Sequence, residues 1–568
     1  MQRLTCSKII FILAFLCSGI ANNIYSASKD PVRAKNGMVV SSSNPATKVG
    51  VEILKKGGNS IDAAVAVGFA LAVTYPYAGN IGGGGFMVIH LSSGKNTSID
   101  YREKAPLKAY RDMYLDKNGN FNPKLSQEGI TSVGVPGSVA GLIYALNKYG
   151  TMKLSEVIQP AIDLAEKGFK LDYSTAASIK KHLDEFKKYP GSYKKFTKNG
   201  VPYKEGEIFK QPDLAETLKL IRDKGIDGFY KGKVAELFIK EIKKLDGYIT
   251  LEDLEKYKPV ERKPIVGTYR GYKIISMPPP SSGGIALVEL LNILENYHFT
   301  IKDWGSSEYI HRLVEAMKYT YADRTKYLGD TDFYPVPESG LISKEYAKSI
   351  FMKIKNYAMP AKDISYGNPA KYKESKETTH YSVYDKYGNA VSTTTTINSG
   401  YGSKIVVEGA GFLLNNEMDD FSAKPGAPNQ FGLLGSEANS IQAQKRMLSS
   451  MTPTIVLKDN KPYIIIGSPG GSTIITVVLQ IIMNCIDFNM NIQQAIDMPR
   501  IHNQWLPDKI NYEKFGLPAD VKNNLKKMGY RLNEVNSIGD AEGIMIDNKN
   551  HIIYGAPDPR GTGLAEGY

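Results

Sequence analysis

A β-hairpin is predicted for residues 378–398, which read TTHYSVYDKYGNAVSTTTTIN. Residues 378–384 and 390–397 are dense in β-branched and aromatic side chains, which favour strands. Between them, residues 385–389 (DKYGN) include the Asp, Gly and Asn that are typical of a tight turn. The sequence therefore predicts two antiparallel strands joined by a five-residue turn.

The turn also sets the register of the hairpin. It pairs Tyr384 with Ala390, and the same register continued pairs Thr378 with Thr396. Facing residues have Cβ atoms about 4.5 to 5.5 Å apart, and Asn398 is the next residue on the same face as Thr396. The periodicity alone is more typical of a threonine-rich, half-exposed strand. The two facing hydroxyls therefore indicate a site only in combination with other motifs.

The first 27 residues have the pattern of a signal peptide. Arg3 and Lys8 precede an apolar run over residues 9–17, and the small residues Ala21 and Ala27 suit a signal peptidase. A membrane anchor is the alternative, but the run is far shorter than the roughly 20 residues that span a bilayer. We expect a leader over residues 1–27, no membrane span in the mature protein, and a periplasmic or secreted location in a bacterium.

Composition excludes several classes of protein. The chain has 568 residues, of which 42% are hydrophobic and 23% charged, a balance typical of a folded globular protein. Removal of the leader takes Cys6 and Cys17 and leaves Cys485, so no internal disulfide is expected. The formal charge is +13, but the lysines are scattered and form no stripe for nucleic acid. The seven histidines lack metal-ligand spacing, so neither a metal nor an organic cofactor is expected.

Local patterns outline the organisation of the chain. A helix is predicted from Asn59 to about Val73, and residues 155–355 are mainly helical in pattern. The chain becomes strand-rich after Glu377, which suggests a domain boundary near residue 375. Two halves of a single domain are the alternative.

Several motifs together resemble those of the γ-glutamyltranspeptidase family. The principal motifs are residues 378–383 (TTHYSV), 414–422 (LNNEMDDFS), 448–451 (LSSM) and 467–472 (GSPGGS), in the family's order and spacing. Further similar segments are residues 58–64, 82–86, 101–103 and 558–560. The resemblance covers nearly the whole chain after the leader.

This resemblance implies an α+β fold, a four-layer αββα sandwich of the N-terminal-nucleophile hydrolase type. It also implies an inactive precursor that cuts itself between Glu377 and Thr378, giving a large subunit of residues 28–377 and a small catalytic subunit of residues 378–568. The physical logic is clear, because a threonine hydroxyl is a weak nucleophile and the cut supplies a free α-amine as its base.

The resemblance also implies the roles of the site residues. Thr378 is the nucleophile, Thr396 orients it, and the backbone N–H groups of Gly470 and Gly471 stabilise the oxyanion. Two further sets bind the two charged groups of the γ-glutamyl moiety. Arg102, Ser449 and Ser450 hold its α-carboxylate, whereas Asn398, Glu417 and Asp420 hold its α-ammonium.

A loop over residues 424–432 resembles the family's lid, with Phe431 at a position that often carries tyrosine. That tyrosine bonds to the asparagine corresponding to Asn398, so Phe431 keeps the ring wall but lacks the bond.

The implied reaction transfers a γ-glutamyl group from glutathione, glutamine or a related compound to water or to an acceptor amino acid or dipeptide. Two alternatives remain at this point. One is a related N-terminal-nucleophile acylase, such as a cephalosporin acylase or a poly-γ-glutamate processing enzyme. The other is an exported binding protein without catalytic activity.

Overall fold

The predicted hairpin is present in the structure, a computed structural model. Strands Tyr381–Tyr384 and Ala390–Thr396 pair antiparallel, with Tyr384 opposite Ala390 and Tyr381 opposite Thr393. The predicted register is therefore confirmed over four residue pairs. The carboxylate of Asp385 accepts the backbone N–H groups of residues 387 and 389 at 2.8 and 3.0 Å, and this closes the predicted turn.

The structure describes residues 28–369 and 381–568. Within these limits, Pro31–Tyr568 form one compact unit. Thr378 and the predicted cleavage bond before it lie outside the described residues, as does the predicted leader.

The hairpin lies inside the first of two seven-stranded sheets formed by the described residues. Every neighbouring pair in this sheet is antiparallel. The strand order is Leu564–Gly567, Met38–Ser41, Tyr381–Tyr384, Ala390–Thr396, Gly84–His90, Asn96–Asp100 and Val260–Arg262.

The second sheet is also antiparallel throughout. Its strand order is Val32–Ala34, Ile552–Pro557, Glu542–Asp547, Lys461–Gly467, Thr454–Lys458, Tyr272–Ser276 and Ile265–Tyr269. The two sheets pack face to face because each turns an apolar face inward. The buried layer between them includes Met38, Val40, Phe86, Val88, Ile455, Ile465 and Ile544.

Helices cover the outer face of the first sheet. The helix Ser60–Thr74 is buried along its whole length and begins at Asn59, whose side chain accepts the N–H groups of residues 61 and 62. This confirms the predicted helix start. The helices of this region are Asn44–Lys55, Ser60–Thr74, Pro123–Gln127, Ser138–Tyr149, Leu154–Lys167, Tyr173–Lys181, Leu183–Phe186, Pro190–Phe196, Pro212–Lys224, Asp227–Tyr230, Gly232–Lys244 and Leu251–Lys256.

A second helical layer covers the outer face of the second sheet and packs on it through a separate apolar core. Its helices are Gly283–Leu294, Ser307–Tyr327, Glu338–Leu341, Lys344–Phe351, Ile474–Ile486, Ile492–Asp497 and Ala519–Lys527. The four layers confirm the expected αββα sandwich. Within the described parts of the chain, no helix is both long enough and apolar enough to cross a bilayer.

Two features of the fold differ from the sequence patterns. The mainly helical pattern over residues 155–355 conceals three strands, Val260–Arg262, Ile265–Tyr269 and Tyr272–Ser276, which belong to the two sheets. In addition, no domain boundary lies near residue 375, because each sheet contains strands from both sides of that position and the described residues 31–369 and 381–568 form one compact unit. The alternative of two halves of one domain is therefore correct.

Candidate active site

A cavity of about 530 Å³ opens where the hairpin ends. Its walls come from the two hairpin strands of the first sheet, from segments that follow strands of both sheets, and from the helices Ser60–Thr74, Ser307–Tyr327 and Ile474–Ile486. All ten predicted site residues within the described chain line this cavity. They are Arg102, Thr396, Asn398, Glu417, Asp420, Phe431, Ser449, Ser450, Gly470 and Gly471.

Thr396 ends its strand at the cavity and is fixed on two sides. Its backbone pairs with Gly84, and its carbonyl accepts the side-chain amide of Asn80 at 2.9 Å. Its hydroxyl accepts the backbone N–H of Asn398 at 2.7 Å. Asn398 has a φ of 73° and donates its own amide to the carbonyl of Asn416 at 3.0 Å. The chain turn thus directs both side chains toward the cavity wall.

The glycine pair follows the strand Lys461–Gly467. Gly470 and Gly471 have φ angles of 140° and 56°, which side-chain-bearing residues rarely adopt. A Cβ atom at Gly470 would lie 2.5 Å from the hydroxyl oxygen of Thr473. Neither backbone N–H donates to another described residue. Two free donors at a cavity wall can stabilise a developing oxyanion.

Arg102 is buried at the charged end of the cavity and is held by carboxylates. Its Nη1 lies 2.6 Å from Glu417 Oε2, and its Nη2 lies 2.6 Å from Asp420 Oδ2. Glu103 is also close, with 3.6 Å between its Oε2 and Arg102 Nη1. Gly84 allows this approach, since a Cβ there would lie 2.5 Å from the Glu103 carboxylate.

Burial changes the protonation of these acids. Desolvation raises the pKa of Glu103 to about 8 and that of Asp420 to about 6, although Arg102 opposes both shifts. Desolvation also raises the pKa of Glu417 well above its usual range. Burial acts to lower the pKa of Arg102, but the attraction of Glu417 and Asp420 outweighs it, so Arg102 remains charged. Asp420 is therefore the member of this cluster that is ionised near neutral pH.

The opposite end of the charged pocket consists of hydroxyls. The carbonyl of Ser449 accepts the hydroxyls of Ser281 and Ser282 at 2.9 and 2.8 Å, which attaches the loop before the helix Gly283–Leu294 to the Ser449 segment. Arg324 donates to Ser450 Oγ at 2.9 Å. Arg324 was not among the predicted site residues, because nothing in its local pattern separates it from the other charged residues of its helix.

The residues of the remaining cavity wall were also not among the predicted site residues. It is lined by Ser42, Tyr75, Tyr77 and Asp540, and Asp540 follows Gly539, which lies next to Gly470. Burial and the charge of Asp558 raise the pKa of Asp540 to about 7. The similarity of residues 558–560 to the family gave an indirect signal for this wall, because Asp558 accepts the N–H of Ala541 at 2.8 Å.

The loop over residues 424–432 closes the cavity on one side. Asn429 donates to Asp420 Oδ1 at 3.2 Å, and the N–H of Gln430 donates to Asp419 at 2.9 Å. The Phe431 ring is half-buried and lies on Gly471. Both aspartates therefore hold the loop, but Asp420 also lines the cavity, whereas Asp419 does not.

Comparison with known proteins agrees with this geometry. The family model described as γ-glutamyltranspeptidase matches residues 46–568. The chain belongs to the γ-glutamyltranspeptidase family. It is 51% identical to the glutathione hydrolase proenzyme of Escherichia coli strain K12, over 95% of this chain and 93% of that protein. It is 41% identical to the glutathione hydrolase proenzyme of Bacillus subtilis strain 168, over 96% of this chain and 93% of that protein.

Solved structures of the γ-glutamyltranspeptidase family and its relatives share the fold. A γ-glutamyltranspeptidase chain from Helicobacter pylori is 50% identical, with a TM-score of 0.57, over 60% of this chain and 96% of that chain. A cephalosporin acylase from Bacillus halodurans is 29% identical, with a TM-score of 0.86, over 96% of this chain and 98% of that chain. This family member is accordingly an N-terminal-nucleophile hydrolase, a γ-glutamyl hydrolase and transferase made as a precursor.

Proposed function

We propose that this γ-glutamyltranspeptidase cuts itself between Glu377 and Thr378, and that Thr378 then attacks the γ-amide of its substrate. The observation that carries the proposal is the hairpin register. Four observed pairs end with Tyr381 opposite Thr393, and the same register continued brings Thr378 opposite Thr396. Thr396 lines the cavity, so this register favours a nucleophile at the cavity wall.

The proposed chemistry needs a base, an oxyanion site and a leaving group. Cleavage would give Thr378 a free α-amine, and such amines have a pKa of about 7.7 to 8.0, near the pH of use. The amine takes the hydroxyl proton as the oxygen attacks the γ-carbonyl, and the N–H groups of Gly470 and Gly471 stabilise the oxyanion. The proton then passes to the departing amine, which leaves a γ-glutamyl ester on Thr378. Water or an acceptor amine opens that ester.

The charges of the cavity favour a γ-glutamyl group. In this proposal Asp420, with Asn398 and Glu417, holds the α-ammonium, while Arg102, Ser449 and Ser450 hold the α-carboxylate. Substrates of this class include glutathione, which would release cysteinylglycine, and glutamine, which would release ammonia. Amino acids and dipeptides would serve as acceptors.

One observation favours a second candidate, a related acylase. The cephalosporin acylase from Bacillus halodurans matches 96% of this chain with a TM-score of 0.86. A substrate that lacks the α-amine separates the two candidates. Preference for a glutaryl amide over a γ-glutamyl amide would support the acylase, because Asp420 would then have no ammonium to bind.

Export to the periplasm or the medium is part of the same proposal. Its support is the pattern of residues 1–27 and the single cysteine that would remain. Cys485 is buried and free, so the fold of the described residues does not depend on a disulfide.

Mass spectrometry and N-terminal sequencing of the purified protein test both cleavages. We expect a small fragment of 568 − 377 = 191 residues beginning at Thr378, and a large fragment beginning near residue 28. Thr378→Ala should stay uncut and inactive, whereas the matched change Thr379→Ala should be cut. A fully active protein that remains a single uncut chain would contradict the assignment of Thr378.

A further inference from the structure

Arg324 lies on the helix Ser307–Tyr327 and lines the same cavity as Ser450. It is buried, with 4% of its surface exposed. Its Nε donates to Ser282 Oγ at 2.8 Å, and its Nη2 donates to Ser450 Oγ at 2.9 Å. Its Nη1 donates to no residue of the described chain. Hydroxyls therefore fix Nε and Nη2 of the guanidinium, and Nη1 remains available to donate to a ligand.

The charge of Arg324 is not balanced in the way that the charge of Arg102 is. Arg102 lies 2.6 Å from two carboxylates, Glu417 and Asp420. No carboxylate of the described residues lies within ion-pair distance of Arg324. Burial lowers the pKa of Arg324, but a guanidinium stays protonated at any pH a protein meets. Asp420 attracts Arg324 only from beyond ion-pair distance, and a buried cation without a paired anion is costly, which suggests that an anion completes the site.

The hydroxyl between Arg324 and the cavity is oriented by this contact. A serine hydroxyl has one proton to donate and two lone pairs to accept. Because Ser450 Oγ accepts from Arg324, its proton is free to point elsewhere, and it donates to no described residue. Ser282 has the same arrangement, since it accepts from Arg324 and donates to the carbonyl of Ser449. Arg324 thus fixes a hydroxyl donor beside its own free nitrogen.

We propose that Arg324 is a second cation of the substrate pocket and binds the α-carboxylate of the γ-glutamyl group together with Ser450. The inference rests on the proposed function and extends it. Both arginines then act on the α-carboxylate: Arg102 shares its charge with Glu417 and Asp420, whereas Arg324 has no carboxylate of the described residues within ion-pair distance. A planar guanidinium beside a hydroxyl matches the two oxygens of a carboxylate.

Three p-nitroanilides test this role. The γ-glutamyl compound carries both charged groups, the glutaryl compound lacks the ammonium, and the 4-aminobutyryl compound lacks the carboxylate. We expect Arg324→Gln to lower kcat/KM by about tenfold to a hundredfold for the first two, the range for loss of a charged hydrogen bond. The 4-aminobutyryl rate should stay within about twofold, because that substrate has nothing for Arg324 to bind.

Conservative and matched variants keep the test decisive. Arg324→Lys keeps the charge but loses the fork, so its loss should be selective for carboxylate substrates and smaller. Arg312→Gln makes the same change on the same helix outside the cavity and should leave all three rates unchanged. If Arg324→Gln fails to mature, the Arg324→Lys profile decides.

An equal loss on all three substrates would overturn this inference and make Arg324 a structural residue only. Unchanged rates would overturn it as well. A wild-type protein that cannot cleave the γ-glutamyl anilide would instead overturn the proposed function, so the two failures are distinguishable.

Discussion

The ring of Phe431 packs on the backbone of Gly471, so closely that a Cβ atom at position 471 would lie 2.7 Å from Phe431 Cδ1. The loop over residues 424–432 thus rests directly on one of the two proposed oxyanion donors. Any side chain at position 471 must displace the ring, and the left-handed φ of 56° adds strain.

Gly471→Ala should therefore lower kcat, by up to about a hundredfold to a thousandfold, since complete loss of an oxyanion donor costs about 2.7 to 4 kcal/mol. The double variant Gly471→Ala with Phe431→Ala should recover part of the loss, because the clash is removed. Steady-state kinetics of both variants measure this. Gly94→Ala is the matched control, because Gly94 also has a positive φ but no neighbour within 4 Å. No recovery in the double variant would show that the clash is not the cause.

Substitutions of Phe431 itself should change the rate of transfer to acceptors. Phe431→Tyr restores the hydroxyl that the family often has, and one hydrogen bond to Asn398 would stabilise the closed loop by about 0.5 to 1.5 kcal/mol. We expect ordering of residues 425–435 and slower transfer to bulky acceptors, whereas Phe431→Ala should weaken substrate binding more because the ring wall is lost. Transfer rates to acceptors of increasing size measure both effects, and three identical profiles would rule out a lid role.

Arg102→Ala should impair catalysis but not self-cleavage. We expect kcat/KM for γ-glutamyl substrates to fall on the order of a hundredfold, because a charged contact is lost. Self-cleavage should survive, since the precursor has no free γ-glutamyl carboxylate to bind. Arg102→Lys should restore little, because it lacks the planar fork.

The same variant should also be less stable. It leaves Glu417 and Asp420 buried without their cation, which typically costs about 3 to 5 kcal/mol. Thermal unfolding, with the surface variant Arg111→Ala as control, measures this. Unchanged kinetics in Arg102→Ala would contradict its place in the substrate pocket.

The pKa of Asp420, raised to about 6, predicts an acid limit on substrate binding. Asp420 is a carboxylate above pH 6 and holds an ammonium in that form, so kcat/KM for γ-glutamyl p-nitroanilide should fall as the pH drops through 6. Protonation of the Thr378 amine should lower the rates of both substrates below about pH 8, but the glutaryl analogue should lack the additional fall near pH 6, because it has no ammonium. Parallel pH profiles for the two substrates would argue against Asp420 as the ammonium partner.

The raised pKa of Glu103 predicts that the stability of the fold decreases as the pH rises, whereas substrate binding through Asp420 improves. Burial raises its pKa from 4.5 to about 8, so the folded state binds more protons than the unfolded state between these values. Its contribution to the free energy of unfolding is full below pH 4.5 and is lost as the pH rises through 8, by at most roughly 1.4 kcal/mol per pH unit. Glu103→Gln is always neutral, and its melting temperature should rise relative to wild type over this range. Glu255→Gln, at an exposed position, should show no such trend.

The hairpin and its register were predictable because they depend on local features. The turn residues 385–389 and a two-residue side-chain period decide which residues face each other. The predicted site residues within the described chain also meet at one cavity, but the motifs for them came from a resemblance and not from periodicity. Local features therefore predicted the strand that carries Thr396, and only the resemblance assigned its neighbours.

The three strands over residues 260–276 were not predictable for a physical reason. Val260–Arg262 and Ile265–Tyr269 are edge strands, so they are short and half-exposed, and Val260–Arg262 is too short to show an alternating pattern. Arg324 was missed for a related reason. Its role depends on hydroxyls at positions 282 and 450, which are far away in sequence and close only after folding.

Each sheet contains strands from both sides of Glu377, and this determines the order of folding and the proposed cut. For example, Met38–Ser41 lies between Tyr381–Tyr384 and Leu564–Gly567. The two pieces therefore contribute neighbouring strands to the same sheet. Folding must come first and cutting second, because neither piece alone could complete a sheet. Dilution of the folded, cut enzyme should not separate the pieces, but its melting temperature should rise with protein concentration, because unfolding after the cut releases two chains. Each chain can therefore assemble only while it is uncut. After unfolding, the cut pieces should regain their activity far less readily than the uncut Thr378→Ala precursor regains its fold.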